Sequence, residues 1–563
     1  MKRITALLLA ALLLILLPAC GGKNSDASPG NLSGSTAAGN NSASSGDLNA
    51  AHPIEMLTVG TTAVIEKAIR GEYNYDMLAS ATTEPPLVWQ DTTGNYHPLL
   101  ASYATEDATT WTYTVLDGMR WDDGEPVTAS DILFTLQYED AQGSANLVSQ
   151  TDSEGNTTPA KYVSYSISED DRSISLTLAA PNVRELSNMT SFRVMPKHLY
   201  EGHEAVSEEM ARVGCGPYRF VSFNRDAGTI VFKANPNYPV KPNVEKLEYR
   251  LFGNEDTLYL ALQSGDLDLV WAYSSGVAAA YQDILAASDT VSLLSVSAVN
   301  APAVLGFNNA SGFFADENLR LAVSYALDYT QFRTYFGSPT ALIPQRGFAP
   351  PATVGYVETE ALTTDLGKAM QHMTAAGYSK KSGNCYFADA SGEEAAFTLT
   401  YNAEKEAHAG CAELIKTQLE AFGIHVILDG TDKDSYNAKT SNKFSDSHIT
   451  MEAAIYGFTA AGMGMGSGLG SIYADGTHKV QGGCQVFDPA FKTILGGMAA
   501  AKTIEEYYGG AAELQAYYAE HAPLLALYWD DLLLAHSSKY TNLTPDCVFG
   551  LNNIQNWFTI TAK

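Results

Sequence analysis

Met119-Arg120-Trp121-Asp122-Asp123-Gly124-Glu125-Pro126-Val127-Thr128-Ala129-Ser130-Asp131 reads as a tight turn running into a helix. Gly124 is free to take the positive φ that such a turn needs. Thr128 and Asp131 have the spacing of a capping box, and the helical run Ile132 to Tyr138 follows. Upstream, Trp111, Tyr113 and Val115 alternate as on a half-buried strand. The paired carboxylates Asp122 and Asp123 invite a catalytic reading, but a solvated turn is the simpler account.

The same pattern recurs outward from this stretch. Ile174, Leu176 and Leu178, then Ile230 and Phe232, then Phe397, Leu399 and Tyr401 alternate as strands. Asp316 can cap a helix through Leu319, Ala322, Val323, Ala326 and Leu327. Another helix places Ala412, Ile415, Leu419 and Phe422 on one face, stops at Gly423, and gives way to the β-like run Ile424 to Leu428. Gly265 reads as the C-terminal cap of a helix over Asp256 to Ser264. Strands and helices alternate without an internal repeat, which is an α/β pattern. The body, from about residue 53 to Lys563, exceeds the roughly 250–300 residues at which one core stops growing, so two or more lobes are expected.

At the N-terminus Lys2 and Arg3 precede an apolar run from Ile4 to Leu17, followed by Pro18, Ala19 and Cys20. This is the form of a secretory signal over residues 1–19, shorter than the about 20 apolar residues of a membrane span. Leu17-Pro18-Ala19-Cys20 resembles a bacterial lipobox, whose Cys20 carries lipid after cleavage. Residues 20–52 are rich in Gly, Ser, Asn and Ala, too poor in apolar surface to fold, and read as a flexible tether. The 34 basic residues less Lys2 and Arg3 leave 32 against 63 acidic, a net charge of −31. That argues against nucleic acid or anionic lipid as partners. Cys215, Cys385, Cys411, Cys484 and Cys547 are widely spaced with no CxxC pair, so no metal or iron–sulfur site is expected, and their odd number leaves at least one unpaired.

With these elements in place, the motifs resemble the peptide and nickel family, family 5, of ABC-importer solute-binding proteins. The likeness is carried by His97-Pro98-Leu99-Leu100-Ala101, Trp111 to Val115, and Met119 to Asp131. It continues in Gly214-Cys215-Gly216-Pro217-Tyr218, Asn235-Pro236-Asn237-Tyr238 and Leu260-Ala261-Leu262-Gln263-Ser264-Gly265-Asp266-Leu267-Asp268. Gly306-Phe307-Asn308-Asn309, the Leu319 to Asp328 helix and the Tyr508 to Tyr528 stretch follow in family order. The resemblance implies a periplasmic-binding-protein-like two-lobe fold (type II, large cluster with an extra inserted domain), its discontinuous lobes closing on a hinge over a buried solute. Lobe I is expected over 53–83, 188–300 and 530–563, the inserted domain over 84–187, lobe II over 301–529, and the hinge near residues 300 and 530.

The resemblance further implies a monomeric, extracytoplasmic, lipid-anchored protein that delivers an oligopeptide-like solute to ABC permease and ATPase subunits, without cofactor or metal. Peptide-binding relatives place an acidic residue after an aromatic late in lobe II. Here the corresponding stretch begins at Ala453, and no charged residue occurs as far as Ala474. Tyr456, Phe458, Thr459, Met463 and Met465 are therefore expected to form a neutral wall over the solute, with a plain flexible loop as the alternative. Trp271 and Tyr273 are expected at the cleft, against ordinary core packing. No G-x-S-x-G, H-E-x-x-H or Walker lysine loop occurs, so an enzyme is not expected. An oligosaccharide or metal-chelate binder, a peptide-sensing lipoprotein and, least favoured, a secreted hydrolase stay open.

Overall fold

The computed structural model describes residues 53–563 apart from 92–93, 153–154, 204–206, 273–275, 381–382, 384, 442–448, 460–468, 473–483 and 547–548. Cys20, Tyr273, Met463, Met465 and Cys547 thus lie outside the described residues, and so does the tether.

One sheet of eleven strands organises the molecule. Its strands lie in the order Tyr218–Asn224, Thr229–Ala234, Val244–Leu251, Ile54–Thr61, Leu269–Val270, Asp530–Ser537, Val291–Phe307, Ala453–Thr459, Ala396–Asn402 and His425–Thr431. Leu524–Ala526 pairs beside Val291–Phe307. Two blocks are parallel. Ile54–Thr61 runs with Val244–Leu251 and Leu269–Val270, and Ala396–Asn402 runs with His425–Thr431 and Ala453–Thr459.

Val291–Phe307 joins the blocks. Its first part pairs with Asp530–Ser537, from Val291 opposite Ser537 to Val296 opposite Leu532, and its second part pairs with Ala453–Thr459. The register slips between Val296 and Asn300 and again between Ala301 and Val304. Pro302 falls in the second slip, where its missing N–H cannot break a ladder bond. Such irregularities bend and twist a strand.

A separate four-stranded antiparallel sheet lies between residues 101 and 178, ordered Ala101–Ala104, Thr110–Val115, Ser173–Leu178, Tyr162–Ile167. The Ala129–Ala141 helix packs on it, opened by the expected Thr128 and Asp131 box. Asp316 caps Glu317–Ala326 by accepting from the Asn318 N–H, and Gly265 closes Glu255–Ser264 at φ +84°.

The turn at Trp121–Gly124 forms with Gly124 at φ +101° and Asp123 exposed, while Asp122 is less solvated than expected. It is half-buried, and burial pushes its carboxyl up to about 6. Asp123 instead bonds His198 at 2.8 Å. Among the described cysteines, Cys215, Cys385, Cys411 and Cys484 form no disulfide. Among the described residues no helix is long and apolar enough to cross a membrane.

Candidate functional site

In open α/β sheets a ligand is received outside the carboxyl ends of the parallel strands, where the strand order changes direction. In one block those ends are Asn402, Thr431 and Thr459, and Thr459 sits opposite Asn300. In the other they are Thr61, Leu251 and Val270. Leu269 pairs antiparallel with His536, so this block points along Asp530–Ser537 toward Asp530. Asn300 and Asp530 are themselves paired. The carboxyl ends of both blocks therefore converge on one crossover, and a solute held there touches both halves of the molecule.

An aromatic cluster packs beside this crossover. Tyr456 and Phe458, two apart on a strand, share one face, while Ile455 turns to the core of the opposite side. Phe458 meets Phe348 edge-on at 5.2 Å and Trp529 at 6.3 Å, and Phe348 meets Trp529 at 5.4 Å and Tyr518 at 5.8 Å. Phe348 holds φ +71°, a conformation that costs a bulky L-residue on the order of 1–2 kcal/mol. Packing against three rings retains it.

The phenols are satisfied within the protein. Tyr518 Oη donates to Leu469 O at 2.7 Å, and Tyr456 Oη lies 3.7 Å from Cys484 Sγ. Burial raises both hydroxyls far above the ordinary tyrosine range, and the Cys484 thiol up to about 12. Lys405, just beyond the carboxyl end at Asn402, is held below its ordinary value by burial and by Lys433. Asp530 accepts from the Ser338 N–H and hydroxyl through its carboxylate.

Residues far apart in sequence also touch away from the crossover. The Arg184 guanidinium lies 5.7 Å from the Tyr507 ring centroid. Gly94 approaches Val354 so closely that a β-carbon there would stand 2.8 Å from it.

Of the residues expected from sequence, Tyr456 and Phe458 meet in the cluster. Thr459 is placed by its backbone pairing alone. Trp271 follows the carboxyl end at Val270, is 1% exposed, and belongs to the larger core, with its backbone N–H donating to Gly60 O at 2.9 Å. Phe348, Tyr518 and Trp529 were not anticipated. They lie far apart in sequence, and the signal available is the aromatic pair Tyr528-Trp529 just before Asp530–Ser537.

Residues 95–465 match the family described as bacterial extracellular solute-binding proteins, family 5 Middle. The chain belongs to that family. Its members are non-enzymatic binding proteins. The dipeptide-binding protein DppE of Bacillus subtilis is 25% identical over 343 residues, covering 58% of this chain and 60% of DppE. The chain thus spans about three-fifths of the length of that relative.

Two solved structures share the fold. NikA of Brucella suis in complex with Fe(III)-EDTA has TM-score 0.73 at 16% identity, over 90% of this chain and 100% of that one. The oligopeptide-binding AppA of Bacillus subtilis in complex with a nonapeptide has TM-score 0.66 at 17% identity, over 90% and 99%. The α/β architecture is that of the large periplasmic binding proteins.

Proposed function

We propose that this family 5 protein captures an oligopeptide-like solute at the crossover by hinge closure and delivers it to an ABC permease. The observation that carries the reading is the convergence of both parallel blocks' carboxyl ends on Asn300 and Asp530, because a solute there bridges two halves linked by only a few strands. The irregular register at Val296 to Val304 supplies a bending point. In this reading lobe I is 53–83, 188–300 and 530–563, the inserted domain 84–187 and lobe II 301–529. Lipidated Cys20 and the tether hold the protein at the outer face of the membrane. Two acyl chains suffice for stable anchoring where one does not.

Solutes as different as a nonapeptide and Fe(III)-EDTA occupy proteins of this fold. Tyr456 and Phe458 favour a peptide-like solute here, since rings and backbone amides suit varied side chains. Native mass spectrometry of protein purified from rich medium tests this. Retained peptides are the expected result, and a retained metal chelate or sugar shifts the assignment within the family.

A further inference from the structure

We propose that Phe348, Phe458, Tyr518 and Trp529 form a subsite for an uncharged, apolar or aromatic group of the solute, which offers an oxygen acceptor to the Trp529 indole N–H. The proposal rests on the solute-binding reading above and narrows it to a chemical class.

Trp529 is 1% exposed, and among the described residues its Nε1 has no hydrogen-bond partner. A buried donor left unpaired costs free energy, and native proteins rarely leave one so. The hydroxyls of the two neighbouring tyrosines do not share this state, and the unpartnered indoles of Trp89, Trp121 and Trp271 lie outside this ring cluster. Tyr518 and Tyr456 place their hydroxyls on Leu469 O and Cys484 Sγ. The Trp529 backbone exchanges both its bonds with Leu342, N–H to O at 3.0 Å and O from N–H at 2.8 Å. The indole N–H is thus the one donor of the four rings that the described protein does not use.

The surroundings specify the rest. Three rings within 6.3 Å of one another present faces and edges, with Tyr518 behind Phe348. The nearest acid in the chain, Asp530, is committed to Ser338 and to the Asp531 N–H at 2.8 Å. That carboxylate is therefore not free to pair with an entering cation, and an unpaired buried charge is costly. A ring or alkyl group bearing a carbonyl meets both the apolar walls and the one open donor. The strained φ of +71° at Phe348 fits a residue held for recognition and not for folding.

The test is calorimetric, with two capped tripeptides as probes, N-acetyl-Phe-Gly-Phe-amide and N-acetyl-Glu-Gly-Glu-amide. The wild-type chain is expected to bind the first at least tenfold more tightly. Trp529→Phe removes the N–H, and replacement of Trp529 by benzothienylalanine removes it while keeping the ring's shape. Either is expected to weaken the first probe about tenfold, and the isostere should leave the melting temperature of the unliganded protein unchanged.

Three results for proteins that bind the probes overturn the proposal. They are equal affinity of the isostere and wild type, a lower unliganded melting temperature for the isostere, which reveals an internal partner such as a buried water, and equal binding of both probes. A wild-type protein that retains a solute from rich medium yet binds neither probe overturns this class alone. One that retains no solute and binds neither probe overturns the solute-binding reading as well.

Discussion

Gly216→Ala is expected to destabilise the protein by about 3–9 kcal/mol, and the structure shows why. A β-carbon at Gly216 would stand 2.2 Å from Thr82 O, and one at Gly214 would stand 2.1 Å from Thr83 O, whereas real β-carbons essentially never come within 3.0 Å. Both clashing partners are backbone, so no side-chain rotation relieves them. The Thr82–Thr83 segment cannot retreat freely, because both its N–H groups donate to Ala79 O and the Trp557 indole holds Ala81 O at 2.6 Å.

Separating the chains by the needed distance breaks Gly216 N–H to Thr83 O at 2.9 Å and Tyr218 N–H to Thr82 O at 3.1 Å. Two buried bonds left unmade cost about 1–3 kcal/mol each, and residual overpacking adds about 1–3 kcal/mol. Urea unfolding followed by tryptophan fluorescence reads the result. With a slope on the order of 3 kcal/mol per molar, the transition should fall by about 1–3 M. Gly509→Ala is the control. It lies inside the Ile504–His521 helix with nothing within 4 Å of the added carbon, and should raise stability by up to about 1 kcal/mol. Equal midpoints for the two variants would refute the steric argument.

Trp271→Ala should lower the unliganded stability by about 3–5 kcal/mol, as for a core tryptophan; weaker ligand binding at unchanged melting temperature would instead make it cleft wall. His408, 3% exposed, is held down to about 4 by burial and by Lys405, below its ordinary 6.5. Because the unfolded chain then gains a proton that the native one refuses, stability should fall as pH drops from about 6.5 to 4, by at most about 3 kcal/mol, and urea midpoints of His408→Gln should flatten that slope. Matched peptides with free and N-acetylated termini should bind alike in calorimetric titration, and a hundredfold preference for the free amine, about 2.7 kcal/mol, would show that a carboxylate elsewhere receives it. Cys20→Ala should release the protein from membranes washed with alkaline carbonate, and its retention there would refute the lipid anchor.

Local chemistry alone determined much of this molecule. The Thr128 and Asp131 box, the Asp316 cap and the positive φ at Gly124 and Gly265 follow from bonds between residues two to four apart, so the sequence displays them directly. Alternation at Trp111 to Val115 likewise reports which face of a strand is buried, because successive side chains point to opposite sides. Tertiary structure decided what these elements surround. Asp122 is half-buried beside the chain at Gly214, whose carbonyl accepts the Asp122 N–H at 2.8 Å, a neighbour that turn spacing does not reveal. Val291–Phe307 mixes serines and Asn300 among its apolar residues, and only its pairing with Asp530–Ser537 on one half and Ala453–Thr459 on the other makes it a crossing strand. Phe348, Phe458 and Trp529 become one cluster for the same reason. Their contact energy depends on distance in space, which chain closure sets across more than a hundred residues between Phe348 and Phe458, and no local periodicity encodes it.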